Sequence, residues 1–238
     1  MGVATIICGS GNPKGHTSAM CRAAAEELAS RGYSVRMFCP SDMAIADCDG
    51  CDSCATEGRC RKEDDMRFVY GSFGESDLLV IASPIFFDGL SSPTVRVLGR
   101  FQLHWNRREL ERPKECLALL CGGRSVEEGC PAQKVVERFC RSMGIGLIGI
   151  VTVERTDGHP VEETYSDSRE RIAQALGDRR QRKSGRIPRC GGPRRGSPMG
   201  NPPSRHSSPP NRRCPGRSIW GTLRRPAWTT RRRSRHAP

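Results

Sequence analysis

Asp77-Leu78-Leu79-Val80-Ile81-Ala82-Ser83-Pro84 decides the architecture. The run is apolar at consecutive positions, opens on an acid and closes on a proline. A strand apolar on both alternating faces is buried on both, the pattern of a parallel sheet covered on each side. Parallel strands need long crossover connections, so the chain on either side of this run should alternate strand and helix.

Upstream, Val3 to Cys8 is a second continuous apolar run, followed by a Gly/Asn/Pro/Lys loop from Gly9 to His16. Thr17 then opens a helix to Arg31, with Met20, Ala24 and Leu28 at helical spacing and Gly32 as its stop. Tyr33 to Phe38 reads as a strand, and the acids of Glu63-Asp64-Asp65-Met66 suit the start of a helix. Downstream, Pro93 fits the first position of a helix running to about His104. Glu115 to Cys121 is a strand, Pro131 to Met143 a helix stopped at Gly144, Leu147 to Val153 a strand, and Ser166 to Leu176 a closing helix. Five such strands predict an α/β fold, a flavodoxin-like doubly wound five-stranded parallel sheet of order 2-1-3-4-5 with helices on both faces. Ligands of such sheets bind beyond the carboxyl ends of the strands, where the loops after the first, third and fourth strands lie.

Composition divides the 238 residues into two parts. Eighteen of the 39 Lys/Arg and one of the 26 acids fall between Asp178 and Pro238, so that segment carries +17 and residues 1–177 carry −4. The net +13 is therefore a property of the tail, and residues 1–177 read as an ordinary globular domain. From Arg179 onward Arg, Pro, Gly and Ser dominate without period, which predicts a disordered tail over 178–238. Arg231-Arg232-Arg233 near Trp220 and Trp228 raise the alternative of a nucleic-acid-binding protein. A frame shifted off its original is the reading preferred here, so nucleic acid is not the expected partner. No apolar run approaches the ~20 residues that span a bilayer, and Met1 to Cys8 lacks the basic start of a signal peptide. A disulfide framework is not expected despite 13 cysteines, and the expected location is the cytoplasm, away from membranes.

The loop Gly9-Ser10-Gly11-Asn12-Pro13-Lys14-Gly15-His16-Thr17-Ser18 leads into a helix N-terminus. Small residues there let backbone amides close around a phosphate, and the helix adds positive dipole. It is neither a P-loop nor a dinucleotide fingerprint, and a plain capped turn is the alternative. In Ser83-Pro84-Ile85-Phe86-Phe87-Asp88-Gly89-Leu90-Ser91 two aromatic rings stand at a strand's carboxyl end, where they can wall a flat heteroaromatic ligand. Gly122-Gly123-Arg124 offers open backbone and a cation at the same edge.

Cys48, Cys51, Cys54 and Cys60 are too closely spaced for core cysteines, and short loops let their sulfurs converge on one metal centre. An iron–sulfur cluster, a zinc ion and an empty reduced loop all remain open. Asp47, Asp49 and Asp52 weigh against a cluster by adding negative charge beside an anionic centre. Cys8, Cys39, Cys116 and Cys121 are expected as small core residues at strands, Cys21 and Cys140 on helix faces, and Cys130 in a loop. His104 and His159 lack partners at catalytic or metal spacing and are expected at the surface.

Ser10 through Thr17 is similar to the Ser-Pro-Arg-x-x-Gly-Asn-Thr phosphate loop of the NAD(P)H-dependent FMN reductase and flavodoxin-like family, and Ser83 to Phe87 looks like its flavin loop. The four cysteines followed by Asp64-Asp65-Met66 resemble the motif of that family's iron–sulfur flavoprotein branch. The resemblance covers residues 1 to about 177, an FMN-binding domain with a cysteine loop at 47–61. It implies FMN with its phosphate at Ser10, His16, Thr17 and Ser18, and its ring against Pro84, Ile85, Phe86, Phe87, Gly89, Gly122 and Gly123. Gly11-Asn12 stand where the family has Pro-Arg, so Asn12 and Lys14 complete the set, with Lys14 as the substitute cation. It further implies a 4Fe-4S cluster on Cys48, Cys51, Cys54 and Cys60, NAD(P)H as electron donor, and a redox partner or small-molecule acceptor. A homo-oligomer is implied as well. No catalytic side chain is needed, because the flavin does the chemistry. A non-enzymatic flavodoxin-type electron carrier is the alternative within redox chemistry.

Overall fold

The computed structural model describes residues 1–184, with side chains through Gly177. The remainder of the Arg/Pro-rich tail, with the expectations attached to it, lies outside the described residues. Strands β1 (Gly2–Cys8), β2 (Tyr33–Phe38), β3 (Leu78–Phe86), β5 (Glu115–Cys121) and β6 (Gly146–Val153) form a parallel sheet in the order β2-β1-β3-β5-β6. This is the expected doubly wound arrangement. A two-residue strand, β4 (Gly89–Leu90), pairs antiparallel with the end of β3.

Alternation along each strand divides the core into two layers. Leu79 and Ile81 of β3, with Cys116, Ala118 and Leu120 of β5, pack under α3 (Met66–Glu75), α4 (Ser92–Arg100) and α6 (Pro131–Met143). Leu78, Val80 and Ala82, with Leu117 and Leu119, face α1 (His16–Ser30) and α7 (Val161–Ser184). The strands are buried on both faces because helices cover both, as the unbroken apolar runs require. Cys8, Cys21, Cys116, Cys121 and Cys140 are buried in these layers, and Cys39 is half-buried.

The helix stops behave as read: Gly32 (φ 82°) and Gly144 (φ 70°) take the left-handed conformation that ends α1 and α6. Three boundaries differ. The helix expected from Pro93 to about His104 breaks at Phe101 and resumes as α5 (Gln102–Asn106). The closing helix spans Val161–Ser184 rather than Ser166–Leu176, beginning at the acids Glu162 and Glu163, which suit a helix N-terminus. Within the cysteine loop Ser53–Thr56 forms a single turn, α2.

The break at Phe101 turns His104 inward. It is 3% exposed, ringed by Tyr70, Phe73 and Phe101, and not at the surface as expected. Cys130 lies in a loop as expected, at the residue before α6, and is buried.

Candidate functional site

At the carboxyl edge of the sheet, the loops after β1, β3 and β5 meet around a cavity of about 380 Å3, within the usual size range of small-molecule sites. β1 gives way to Gly9, whose amide donates to Ala82 O of β3 at 2.8 Å. A Cβ on Gly9 would stand 1.8 Å from Thr94 Oγ1 at the start of α4, so only glycine lets these elements close up. Ser91 Oγ donates to Gly9 O at 2.7 Å and accepts from Thr94 Oγ1 at 2.9 Å.

The loop between β1 and α1 winds around Asn12. Asn12 N donates to Ser10 Oγ at 3.2 Å, Lys14 N to Asn12 Oδ1 at 3.1 Å, and Ser18 Oγ to Asn12 O at 2.6 Å. Ser10, Asn12, His16 and Thr17 line the cavity, and His16 Nδ1 is fixed by Thr164 Oγ1 of α7 at 2.8 Å. Lys14 is exposed and off the wall, and Ser18 is buried behind it, its hydroxyl used within the loop. Among the described residues the lining contains no Lys or Arg. An anion there is met by hydroxyls, amides and the N-terminus of the fifteen-residue α1.

Strand β3 runs on through Phe86, past the Pro84 expected to close it, and its last three residues, Pro84, Ile85 and Phe86, reach the wall. Phe87 and Asp88 form the turn between β3 and β4, both with positive φ (50° and 61°), the requirement of a type I′ hairpin. This turn aims Phe87 fully into solvent and leaves Phe87 and Gly89 off the wall. From the third loop Gly123 lines the cavity and Gly122 lies behind it, accepting from Thr156 Oγ1 at 3.2 Å.

Thr156 and Asp157, after β6, also line the cavity and were missed in the sequence, as was Ser41 after β2. Asp157 N donates to Gly123 O at 3.1 Å, which brings its carboxylate beside the ligand space. The signal was available: Thr156-Asp157-Gly158 follows the last strand at its carboxyl end.

Cys48, Cys51, Cys54 and Cys60 line a second cavity, of about 100 Å3. Gly50, Asp52 and Gly58 all take positive φ, and these reversals bend the loop around the cavity. Its ends are tied down by carboxylates: Ala44 N donates to Asp65 Oδ2 at 2.8 Å and Ala46 N to Asp64 Oδ2 at 3.0 Å. Asp64 also accepts from Met66 N at 3.1 Å, so it anchors the first residue of α3 while holding the loop.

Arg100, 2% exposed at the end of α4, forks onto Asp64, with Nη1–Oδ2 2.5 Å and Nη2–Oδ1 3.1 Å, and donates to Ala46 O at 2.7 Å. Burial opposes its charge, but the Asp64 carboxylate and the Cys60 sulfur outweigh it and keep the guanidinium protonated. Its Nη2 also donates to Cys60 Sγ at 3.3 Å, and Asn106 Nδ2 of α5 donates to Cys54 Sγ at 3.1 Å.

Two of the three loop acids are compensated. Asp49 is held far below the usual carboxylate range by Arg61 and Lys62, and Asp47 pairs with Arg96 at 3.3 Å. The objection that these acids would burden an anionic centre therefore loses most of its force. Among the described residues no three His, Cys, Asp or Glu side chains are arranged to hold a single metal ion.

Helix α4 touches both cavities. Ser91 and Pro93 at its start line the first, and Arg100 at its end lines the second. Nine residues make a rod of about 13 Å.

The model of the NADPH-dependent FMN reductase family matches residues 2–130. Curated relatives include an iron–sulfur flavoprotein of Methanocaldococcus jannaschii, 30% identical over 94 residues, which are 40% of this chain and 49% of the relative. An iron–sulfur flavoprotein of Archaeoglobus fulgidus is 30% identical over 105 residues, 44% of this chain and 48% of the relative. The chain thus spans about half the length of the curated relatives it matches. Among solved structures, an FMN-dependent NADH-azoreductase of Bacillus anthracis aligns with TM-score 0.56 and 12% identity over 75% of this chain and 99% of that one. An NAD(P)H:quinone oxidoreductase of Methanothermobacter marburgensis aligns with TM-score 0.51 and 14% identity, over 73% of this chain and 95% of that one. These likenesses speak for the fold. With the family model covering more than half of its length, the chain belongs to the NADPH-dependent FMN reductase family.

Proposed function

We propose that this chain is an FMN-dependent oxidoreductase that accepts electrons from NAD(P)H and passes them to a redox partner or small-molecule acceptor. The observation that carries this reading is the 380 Å3 cavity, in which hydroxyl and amide donors at one helix N-terminus face apolar and aromatic side chains from the carboxyl end of β3. Ser10, Thr17 and the N-terminal amides of α1 hold the phosphate, with His16 set by Thr164. Pro84, Ile85 and Phe86 flank the ring, Gly123 leaves room for the Asp157 carboxylate, and that carboxylate accepts from the ligand's hydroxyls. FMN, when bound, takes a hydride's two electrons and can release them singly.

The four cysteines are read as ligands of a 4Fe-4S cluster. The fit rests on their chemistry: four sulfurs line one cavity, two of them accept N–H donors, and Asp47 and Asp49 are paired with cations. A cavity between the sulfurs suits a polynuclear group better than one tetrahedral zinc, whose sulfurs would lie ~2.3 Å from a common point. No helix among the described residues is long and apolar enough to cross a membrane. The eleven cysteines among the described residues are all free, which fits a reducing compartment.

Anaerobic purification tests the reading. Visible flavin bands, with NAD(P)H consumed when an acceptor is added, are the expected result. Protein that stays colourless and takes up no added FMN overturns it, and bound FMN without NAD(P)H turnover points to an electron carrier.

A further inference from the structure

We propose that Arg100 and Asn106 set the reduction potential of the cysteine centre, an inference that rests on reading the four cysteines as cluster ligands. A guanidinium 2% exposed is costly to keep in a protein unless paired. Asp64 pairs with it, yet the fork does not spend all its donors there: Nη2 also reaches Cys60 Sγ at 3.3 Å. Arg100 Nε is buried with no hydrogen-bond partner among the described residues, although Arg100 lines the cavity of the four sulfurs. On the far side Asn106 Nδ2 donates to Cys54 Sγ at 3.1 Å. Two of the four sulfurs therefore carry N–H donors from the α4–α5 segment, one of them on a full positive charge.

The physical consequence has a sign. Reduction adds one electron to the centre and makes or breaks no bond to the protein. The reduced centre is the more negative one, so a buried cation and N–H donors on sulfur stabilise it more than the oxidised one. Arg100 and Asn106 thereby raise the potential, making the centre easier to reduce. A residue that only clamped the loop would govern how much metal is held and leave the potential of the loaded protein untouched.

The test compares anaerobically reconstituted wild type with Arg100→Gln, Arg100→Lys and Asn106→Ala. Iron and sulfide are measured on each, followed by a dithionite titration monitored by EPR. Arg100→Gln is expected to make reduction about ten-fold less favourable, 59 mV for a one-electron couple. Asn106→Ala should shift the potential in the same direction by a smaller amount, and Arg100→Lys, which keeps the charge, should fall between wild type and Arg100→Gln. Should Arg100→Gln fail to fold with Asp64 left alone, Asn106→Ala and Arg100→Lys decide the matter. Loaded variants whose potentials equal that of wild type overturn this proposal alone, even if their iron content is reduced. Wild type that holds neither iron nor sulfide overturns the cluster reading, and the proposal with it.

Discussion

His104 sits inside an aromatic cage with its Nδ1 buried and without a hydrogen-bond partner among the described residues. Burial, with Arg112 adding to it, lowers its pKa from 6.5 to about 4. The unfolded chain therefore binds a proton that the folded chain refuses between those values. Stability from this site is complete above pH 6.5 and is lost as pH falls toward 4, on the order of 2–3 kcal/mol. His104→Phe should flatten the fall in melting temperature between pH 6.5 and 4.5, measured by calorimetry beside the parent. A lone histidine in the sequence gave no sign of this, because its direction depends on the break at Phe101 that turns α5 inward. Gly9 gives a second residue-scale prediction. Gly9→Ala drives a Cβ to 1.8 Å from Thr94 Oγ1, which should cost about 1–3 kcal/mol and weaken FMN binding. Adding Thr94→Ala should recover part of both losses in denaturation and flavin titration, a coupling that independent sites lack.

Among the elements, the β3–β4 hairpin is the one the sequence concealed. Type I′ turns favour Asn-Gly, because both central residues need positive φ, and here Phe87 and Asp88 hold those positions at 50° and 61°. With neither Asn nor Gly in the turn, nothing announced a two-residue loop. Asp88 O also accepts from Ala132 N at 2.7 Å, docking α6 against the turn and holding it in a disfavoured conformation. Replacing the pair with Asn-Gly should raise stability by about 1 kcal/mol. Chemical denaturation reads that gain, and a decrease in stability would mean that the two residues make contacts worth more than the strain. The long elements were legible for the opposite reason. Continuous apolar runs, Pro93 and Pro131 at helix starts, and Gly32 and Gly144 at helix ends each act through local physics that needs no tertiary context.

For the molecule as a whole, the same division explains which parts of the site could be read in advance. Ser10, Thr17, Pro84 and Phe86 follow strands whose carboxyl ends had to meet, so topology alone brought them to one cavity. Thr156, Asp157 and Ser41 joined them because the flanking strands end at the same edge. Lys14 and Phe87 belong to the right loops, but local turns direct them outward, and a turn's direction is not a property of composition. The partners of the cysteine loop, Arg100 and Asn106, come from forty or more positions downstream, a distance no motif spans. Helix α4 then joins what the sequence presents as two separate motifs, with its first turn at one cavity and its last residue at the other. A stiff rod held at both ends makes the two occupancies thermodynamically interdependent. If filling the cysteine cavity tightens FMN binding by some factor, FMN must tighten metal retention by that same factor, because binding free energies around a closed cycle sum to zero. FMN titrations of iron-loaded and iron-free protein, set against chelator competition with and without FMN, should return one number twice, and a factor of one in both would mean that the rod transmits nothing.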